Sequence, residues 1–409
     1  MIGAPAVTVR PVDGGITAPA GFRAAGVAAG IKPSGDSDVA LIVPDAVASG
    51  AALFTTNQVQ AAPVLVSRRH LERSGGRVAA VLVNSGCANA CTGPEGLAVA
   101  ERSAAAVAAR LGCEIDQVLI ASTGVIGVAL DGERLLAGID AAAARLDRRG
   151  SAGAARAILT TDRGPKEHAV RVETRDGSFV VGGMAKGAGM IEPMMATMLA
   201  FLTTDARVEP AVLREALVAA VDDTLNAITV DGECSTNDAV IALASGASRV
   251  RVADQRSGAA LVQGLRAVCR ALAIAIVRGG EGATKLVAIR VTGAADPVAA
   301  KRVARTIANS PLVKTAIHGG DPNWGRLVAA AGRSGVPFDL SRCLVKVGPV
   351  VLFREGQPFD EAAPEAAAVL AGGEIEIQVD LGTGGAHEAT VWTCDLSAEY
   401  VRINGEYRT

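Results

Sequence analysis

The sequence predicts a mixed α/β protein in which helices cover sheets. Three observations predict it. Short apolar runs alternate along the chain with longer segments of helical period. Gly and Pro punctuate the ends of these segments, with 47 Gly and 17 Pro in 409 residues. The apolar fraction is 50% but the aromatic fraction only 3%, so the core must come from close helix–sheet packing of small and β-branched side chains. At ~100–200 residues per domain, the length holds two or three domains.

The elements follow in order. Asp38–Val43 and Arg77–Val83 read as short apolar strands, and Leu97–Leu111 as an amphipathic helix stopped by Gly112. Val118–Ala121 is a buried strand and Glu133–Arg148 a second helix. Phe179–Val181 is strand-like and opens a glycine- and methionine-rich run, Val180–Met195, after which Met198–Leu202 is again an apolar strand. Val208–Leu225 and Ala259–Val277 read as helices, Leu286–Val291 as a strand, and Pro297–Ala308 as a helix. The last third turns to strands: Leu344–Leu352, Glu374–Val379 and Glu388–Cys394.

Charge and composition exclude several functions. Lys plus Arg is 40 against 42 Asp plus Glu, a net charge of -2, so no nucleic-acid coat and no polybasic membrane binder is expected. No window reaches the ~18 uncharged apolar residues of a membrane span. The N-terminus shows no signal peptide pattern. The seven Cys are odd in number and irregular in spacing, which fits reduced thiols of a cytoplasmic protein. There is no Gly-Lys dipeptide for a Walker A loop and no G-x-S-x-G elbow. His70, His168, His318 and His387 are scattered, and Cys87 and Cys91 have no nearby His partners, so no metal or other cofactor is expected.

What remains for chemistry is polar, glycine-bearing segments at strand ends: Asn84–Gly93, Ser122–Gly127 and Asp231–Asp238. Each alone reads more readily as a turn or helix cap than as a ligand loop. The run Gly187–Leu199 is harder to dismiss, because it ends in Ala196-Thr197 and enters a strand. A Thr after a small residue can attack the preceding carbonyl if the loop strains that bond. Hydrolysis of the resulting ester makes Thr197 a new N-terminus. Its α-amine titrates near ~7.7–8.0 where a Lys amine titrates near ~10.4, so it can serve at neutral pH as base to its own hydroxyl. Read alone, Ala196-Thr197 is an ordinary strand dipeptide.

The segments Val181–Leu199, Asn84–Gly93, Ser122–Gly127, Asp231–Asp238, Asp321–Arg326 and Tyr400–Thr409 together resemble the ornithine acetyltransferase family, also called glutamate N-acetyltransferases, of the cyclic route of arginine biosynthesis. The resemblance runs in order from about Gly15 to the last residue. It implies an αββα-type sandwich of mixed sheets covered by helices. It implies self-cleavage between Ala196 and Thr197, giving an alpha chain, residues 1–196, and a beta chain, residues 197–409. It further implies a ping-pong cycle: N2-acetyl-L-ornithine acetylates Thr197, ornithine leaves, and glutamate takes the acetyl group. Thr123 and Gly124 match the oxyanion-hole pair, where a donor is worth ~3–4 kcal/mol. Lys186, Glu281, Asn404 and Thr409 match substrate contacts, as does Thr160, less clearly than its neighbour Thr161. A homo-oligomer of the cut unit is implied too.

The departures are small. Gly279 stands where an acidic residue is common, and Gly319-Gly320 where a polar one is. The resemblance leaves open whether acetyl-CoA is also a donor. Two rivals stand beside acetyl transfer: an N-terminal-nucleophile amidase or aminopeptidase using the same Thr, and an uncut metabolite-binding protein.

Overall fold

A computed structural model describes residues 7–192 and 198–406. Ala196, Thr197 and Thr409 lie outside the described residues. The core is four layers deep. A four-stranded sheet carries Phe22–Val27, Val39–Pro44, Ala80–Cys87 and Val118–Val125. It faces a seven-stranded sheet whose central strands are Gly177–Lys186, Leu199–Thr204 and Ala239–Ala244. Phe22, Ile42, Val81 and Leu119 from the first sheet meet Met184, Phe201 and Ile241 from the second in one buried cluster. Helices Ala62–Arg73, Gly93–Leu111 and Gly132–Ala144 cover the outer face of the first sheet. Helices Pro210–Asp222 and Gln255–Arg278 cover that of the second. This is the αββα sandwich that the resemblance implies.

The inner strands show why alternation is hard to see in the sequence. In Leu199–Thr204, Leu199 and Phe201 enter the inter-sheet core while Ala200 and Leu202 enter the helix-facing core. Both faces are buried, so the strand reads as a continuous apolar run. Burying a Leu or Phe side chain contributes ~1.5–3 kcal/mol.

Residues 286–394 add a second unit. Six strands, ordered so that Leu286–Ala294 lies between Glu374–Asp380 and His387–Cys394, pack one face on helices Pro297–Ala308, Pro311–Gly319, Trp324–Gly332 and Ala363–Leu370 around their own core. The expected single strand Leu344–Leu352 is two, Leu344–Val347 and Val350–Arg354, folded back antiparallel at a turn where Gly348 has φ +56°. The expected helix Val208–Leu225 starts only at Pro210, whose fixed φ suits a first helical turn; Arg207–Val208 is a short strand. The helix expected to Arg148 stops at Ala144.

Gln255–Arg278 is long and apolar enough to cross a membrane by length and mean hydropathy. Its face Leu261, Leu265, Val268, Leu272 and Ile276 is instead buried in the sandwich core. The seven cysteines are free thiols: Cys87 is buried and donates to the Val128 carbonyl at 3.3 Å, while Cys91 is exposed.

Five strands and two helices position the site: β1 Ala80–Cys87, β2 Val118–Val125, β3 Gly177–Lys186, β4 Leu199–Thr204, β5 Ala239–Ala244, α1 Gln255–Arg278 and α2 Ala398–Glu406. β3 and β4 are antiparallel neighbours with Leu199 opposite Lys186, so strands from both sides of position 196 share one sheet.

Candidate active site

The ends of β1, β2, β3 and β5 meet at a cavity of ≈ 260 Å³. Thr123, Gly124, Thr160, Thr161, Lys186, Glu281 and Asn404 all line it. Ile191 and Met198, either side of the undescribed stretch 193–197, line it as well.

Thr123-Gly124 sits near the end of β2, which runs parallel to β1 with Ser85 opposite Thr123 and Gly86 opposite Gly124. Gly124 has φ +128°, and a Cβ there would stand 2.4 Å from the Gly86 carbonyl carbon. Only glycine lets the two strands close at this point. The loop ends are tied together from the loop before β5: the Asn237 amide donates to the carbonyls of Ala88 at 2.6 Å and Ser122 at 2.9 Å.

Lys186 closes β3 and is buried, and its Nζ donates to Thr123 Oγ1 at 3.2 Å. Burial pushes the Lys186 ammonium below its ordinary pKa, opposed by the nearby Asp162 carboxylate. Asp162 accepts the Gly187 N–H at 2.7 Å and pairs with Lys166. Burial pushes its carboxyl up, but Lys186, Lys166 and that N–H together hold it below the usual range. The result is a buried cluster of two cations and one anion behind the cavity wall.

Glu281 lies in the turn after α1 and is buried. Its Oε1 accepts from Thr161 Oγ1 at 2.6 Å and its Oε2 from the Asn404 amide at 2.8 Å. Of the two threonines, Thr161 holds Glu281, while the Thr160 N–H donates to Asp162 at 3.2 Å. Asn404 gets there because α2 folds back: Ser397 Oγ donates to the Gly282 carbonyl at 2.7 Å, and a Cβ on Gly282 would stand 2.4 Å from the Tyr400 nitrogen. Tyr400 then donates to Asp231 Oδ2 at 3.2 Å. Asp231 also accepts the N–H groups of Met190 at 2.7 Å and Ile191 at 2.9 Å, which fixes the backbone entering 193–197.

The structure thus brings together six of the residues singled out in the sequence: Thr123, Gly124, Thr160, Lys186, Glu281 and Asn404. The other three, Ala196, Thr197 and Thr409, lie outside the described residues. Sequence reasoning missed Asp162 and Lys166, whose only sequence signal is the i,i+4 spacing of opposite charges just after Thr160-Thr161. It marked Asp231–Asp238 as a segment but gave no role to Asp231, Asn237 or Asp238. A motif shows that a loop is special, whereas which side chain turns inward depends on the partner strand.

Comparison with known proteins bears on this arrangement. A model described as the ArgJ family matches residues 23–409. The arginine biosynthesis bifunctional protein ArgJ of Parasynechococcus marenigrum (strain WH8102) is 48% identical over 398 residues, covering 97% of this chain and 96% of that one. The solved arginine biosynthesis bifunctional protein ArgJ of Bacillus halodurans is 42% identical, covers 52% of this chain and 100% of that chain, and has a TM-score of 0.50. The solved ornithine acetyltransferase of Mycobacterium tuberculosis, complexed with ornithine, is 46% identical, covers 45% of this chain and 97% of that chain, and has a TM-score of 0.42. The chain belongs to the ArgJ family, acyltransferases of arginine biosynthesis.

Proposed function

We propose that the chain cuts itself between Ala196 and Thr197 and that Thr197 then carries an acetyl group from N2-acetyl-L-ornithine to L-glutamate. One observation carries the reading: Ile191 and Met198, on either side of 193–197, line the same cavity as Thr123, Gly124, Lys186 and Glu281. In this mechanism the Thr197 amine takes the hydroxyl proton as the oxygen bonds to the acetyl carbon. Thr123 and the Gly124 backbone stabilise the oxyanion. The tetrahedral adduct collapses, and the proton passes to the departing ornithine nitrogen. Glutamate repeats the steps in reverse.

The Lys186 ammonium is the group for the α-carboxylate shared by both substrates, and Glu281, Thr160, Asn404 and Thr409 complete the substrate contacts. The Bacillus halodurans chain, matched along its whole length, covers 52% of this chain. Residues 197–409 are 213 of 409, the same share, which supports a cut at that place. The word bifunctional in the relatives' names supports a second activity, read here as acetyl-CoA-dependent acetylation of glutamate. The working unit is a homo-oligomer of the cut chain.

Thr197→Ala tests the reading. The variant should fold, run as one band on denaturing electrophoresis and transfer no acetyl group. An uncut but active variant would refute the nucleophile. Assays with N-acetylornithine and with acetyl-CoA, each as sole donor, separate one donor from two. Release of acetate without acetylation of glutamate would mark an amidase.

A further inference from the structure

Among the described residues, four side-chain carboxyls line the cavity: Asp231, Glu233, Asp238 and Glu281. Asp231 accepts from Met190, Ile191 and Tyr400, and Glu281 from Thr161 and Asn404. Glu233 is exposed. Asp238 differs from all three. It is 2% exposed, and its Oδ2 is buried with no hydrogen-bond partner. Ser235, on the same loop, is the residue that hydrogen-bonds its carboxyl. A buried polar atom left unpaired is costly, and in a cavity wall it marks a place where something else binds or reacts.

Its place in the sheet says what that is. Asp238 directly precedes β5, and the Ala239 N–H donates to the Met198 carbonyl at 3.1 Å. β4 and β5 are parallel from Leu199 opposite Ala239 onward. Asp238 therefore stands one residue before the ladder begins, beside the backbone that leads to Thr197. The geometry points to Asp238 as the acid that protonates the Thr197 nitrogen when the chain is cut, an inference that rests on the cut proposed above.

The step balances without a co-reactant. The Thr197 oxygen bonds to the Ala196 carbonyl carbon and the carbon–nitrogen bond breaks. The nitrogen leaves as an amine by taking the Asp238 carboxyl proton. The Thr197 hydroxyl proton returns to the carboxylate, so Asp238 ends as it began and an ester awaits water.

Burial pushes the Asp238 carboxyl well above its usual range, against Ser235 and Lys186, so it holds a proton where an ordinary Asp has lost it. The charged group facing it is Lys186 of β3, and Cys234 on its own loop is the other titratable neighbour. The flanking strands, β4 and Ala48–Phe54, bring Met198, Leu199, Phe54 and Thr55 to that end, none of them titratable.

The test follows scission of the full-length chain by intact mass and denaturing electrophoresis after cell-free synthesis. Asp238→Asn should slow the cut by ~10²–10⁴-fold, the range of general acid catalysis, while melting as a folded protein. Asp238→Glu, which keeps the acid, should restore part of the rate. The wild-type rate should fall as pH rises through the Asp238 titration, and Asp238→Asn should lack that limb. An Asp238→Asn chain cut at the wild-type rate overturns the proposal and leaves the cut itself standing. A wild-type chain not cut at Ala196–Thr197 overturns the cut as well. Should Asp238→Asn fail to fold, the wild-type profile decides, and a rate flat with pH overturns the assignment.

Discussion

The sandwich and the 286–394 unit use the same small apolar side chains but treat buried polar groups differently. In the C-terminal unit the buried ammonium of Lys314 is satisfied within the unit, donating to Thr393 Oγ1 at 2.9 Å and to the Cys394 carbonyl, and the guanidinium of Arg305, although its Nε has no partner, donates through a terminal nitrogen to the Asn226 carbonyl at 2.6 Å. At the mouth of the sandwich, Lys186, Asp238 and Glu281 are buried in the cavity wall with the buried side chains of the Asp162–Lys166 pair behind it, and Asp238 keeps an oxygen without a partner. Burial of charge is expensive unless it is paired. The C-terminal unit holds its buried ammonium on protein partners, whereas the sandwich gathers buried charge where a ligand can enter.

Three substitutions probe this contrast, from the largest expected effect to the smallest. Gly124→Ala should cost ~3 kcal/mol of stability, since the new methyl meets the Gly86 backbone at an unfavourable φ, and should lower kcat by ~10²–10³-fold. Thermal unfolding and steady-state kinetics would show both; a variant of wild-type kcat would remove this turn from the chemistry.

Lys186→Ala should raise KM for both substrates by ~10–100-fold, the loss of a hydrogen bond to a charged group. Substrate binding by the wild type should also weaken as pH rises through the Lys186 pKa. Because burial lowers that pKa, the loss comes below the ~10.4 of an ordinary lysine. Unchanged kcat and KM would take Lys186 out of the site.

Ile377→Val, in the core of the C-terminal unit, should cost ~0.5–1.5 kcal/mol in denaturant unfolding and leave kcat and KM alone. A shifted KM would show that the second unit is coupled to the cavity and would break the contrast.

Some of this architecture can be read from the residues themselves. Leu97–Leu111 lies within the helix Gly93–Leu111, ended by Gly112 at φ +68°, and Pro297–Ala308 is a helix at both of its predicted ends, because capping chemistry is local. Ala239–Ala244 escaped notice for the opposite reason: with both faces buried it has neither alternation nor helical period, and it follows a polar loop. Leu344–Leu352 was read through its Gly348-Pro349 turn because apolar residues continue on both sides. At the site, Thr123, Gly124, Lys186 and Glu281 were accessible through motif resemblance. Asp162 and Asp238 were not, since their importance lies in what the folded chain places beside them.

The register of β3 against β4 has a consequence for the life of the molecule. Leu199 is laced to Lys186 by a ladder that continues to Thr204 and Val181, and α2 reaches from the far end of the chain to rest on the Glu281 turn. Severing the peptide ahead of Thr197 would open the backbone without freeing either piece. An affinity tag on one end should carry the other half through purification, and neither half should survive the removal of its companion.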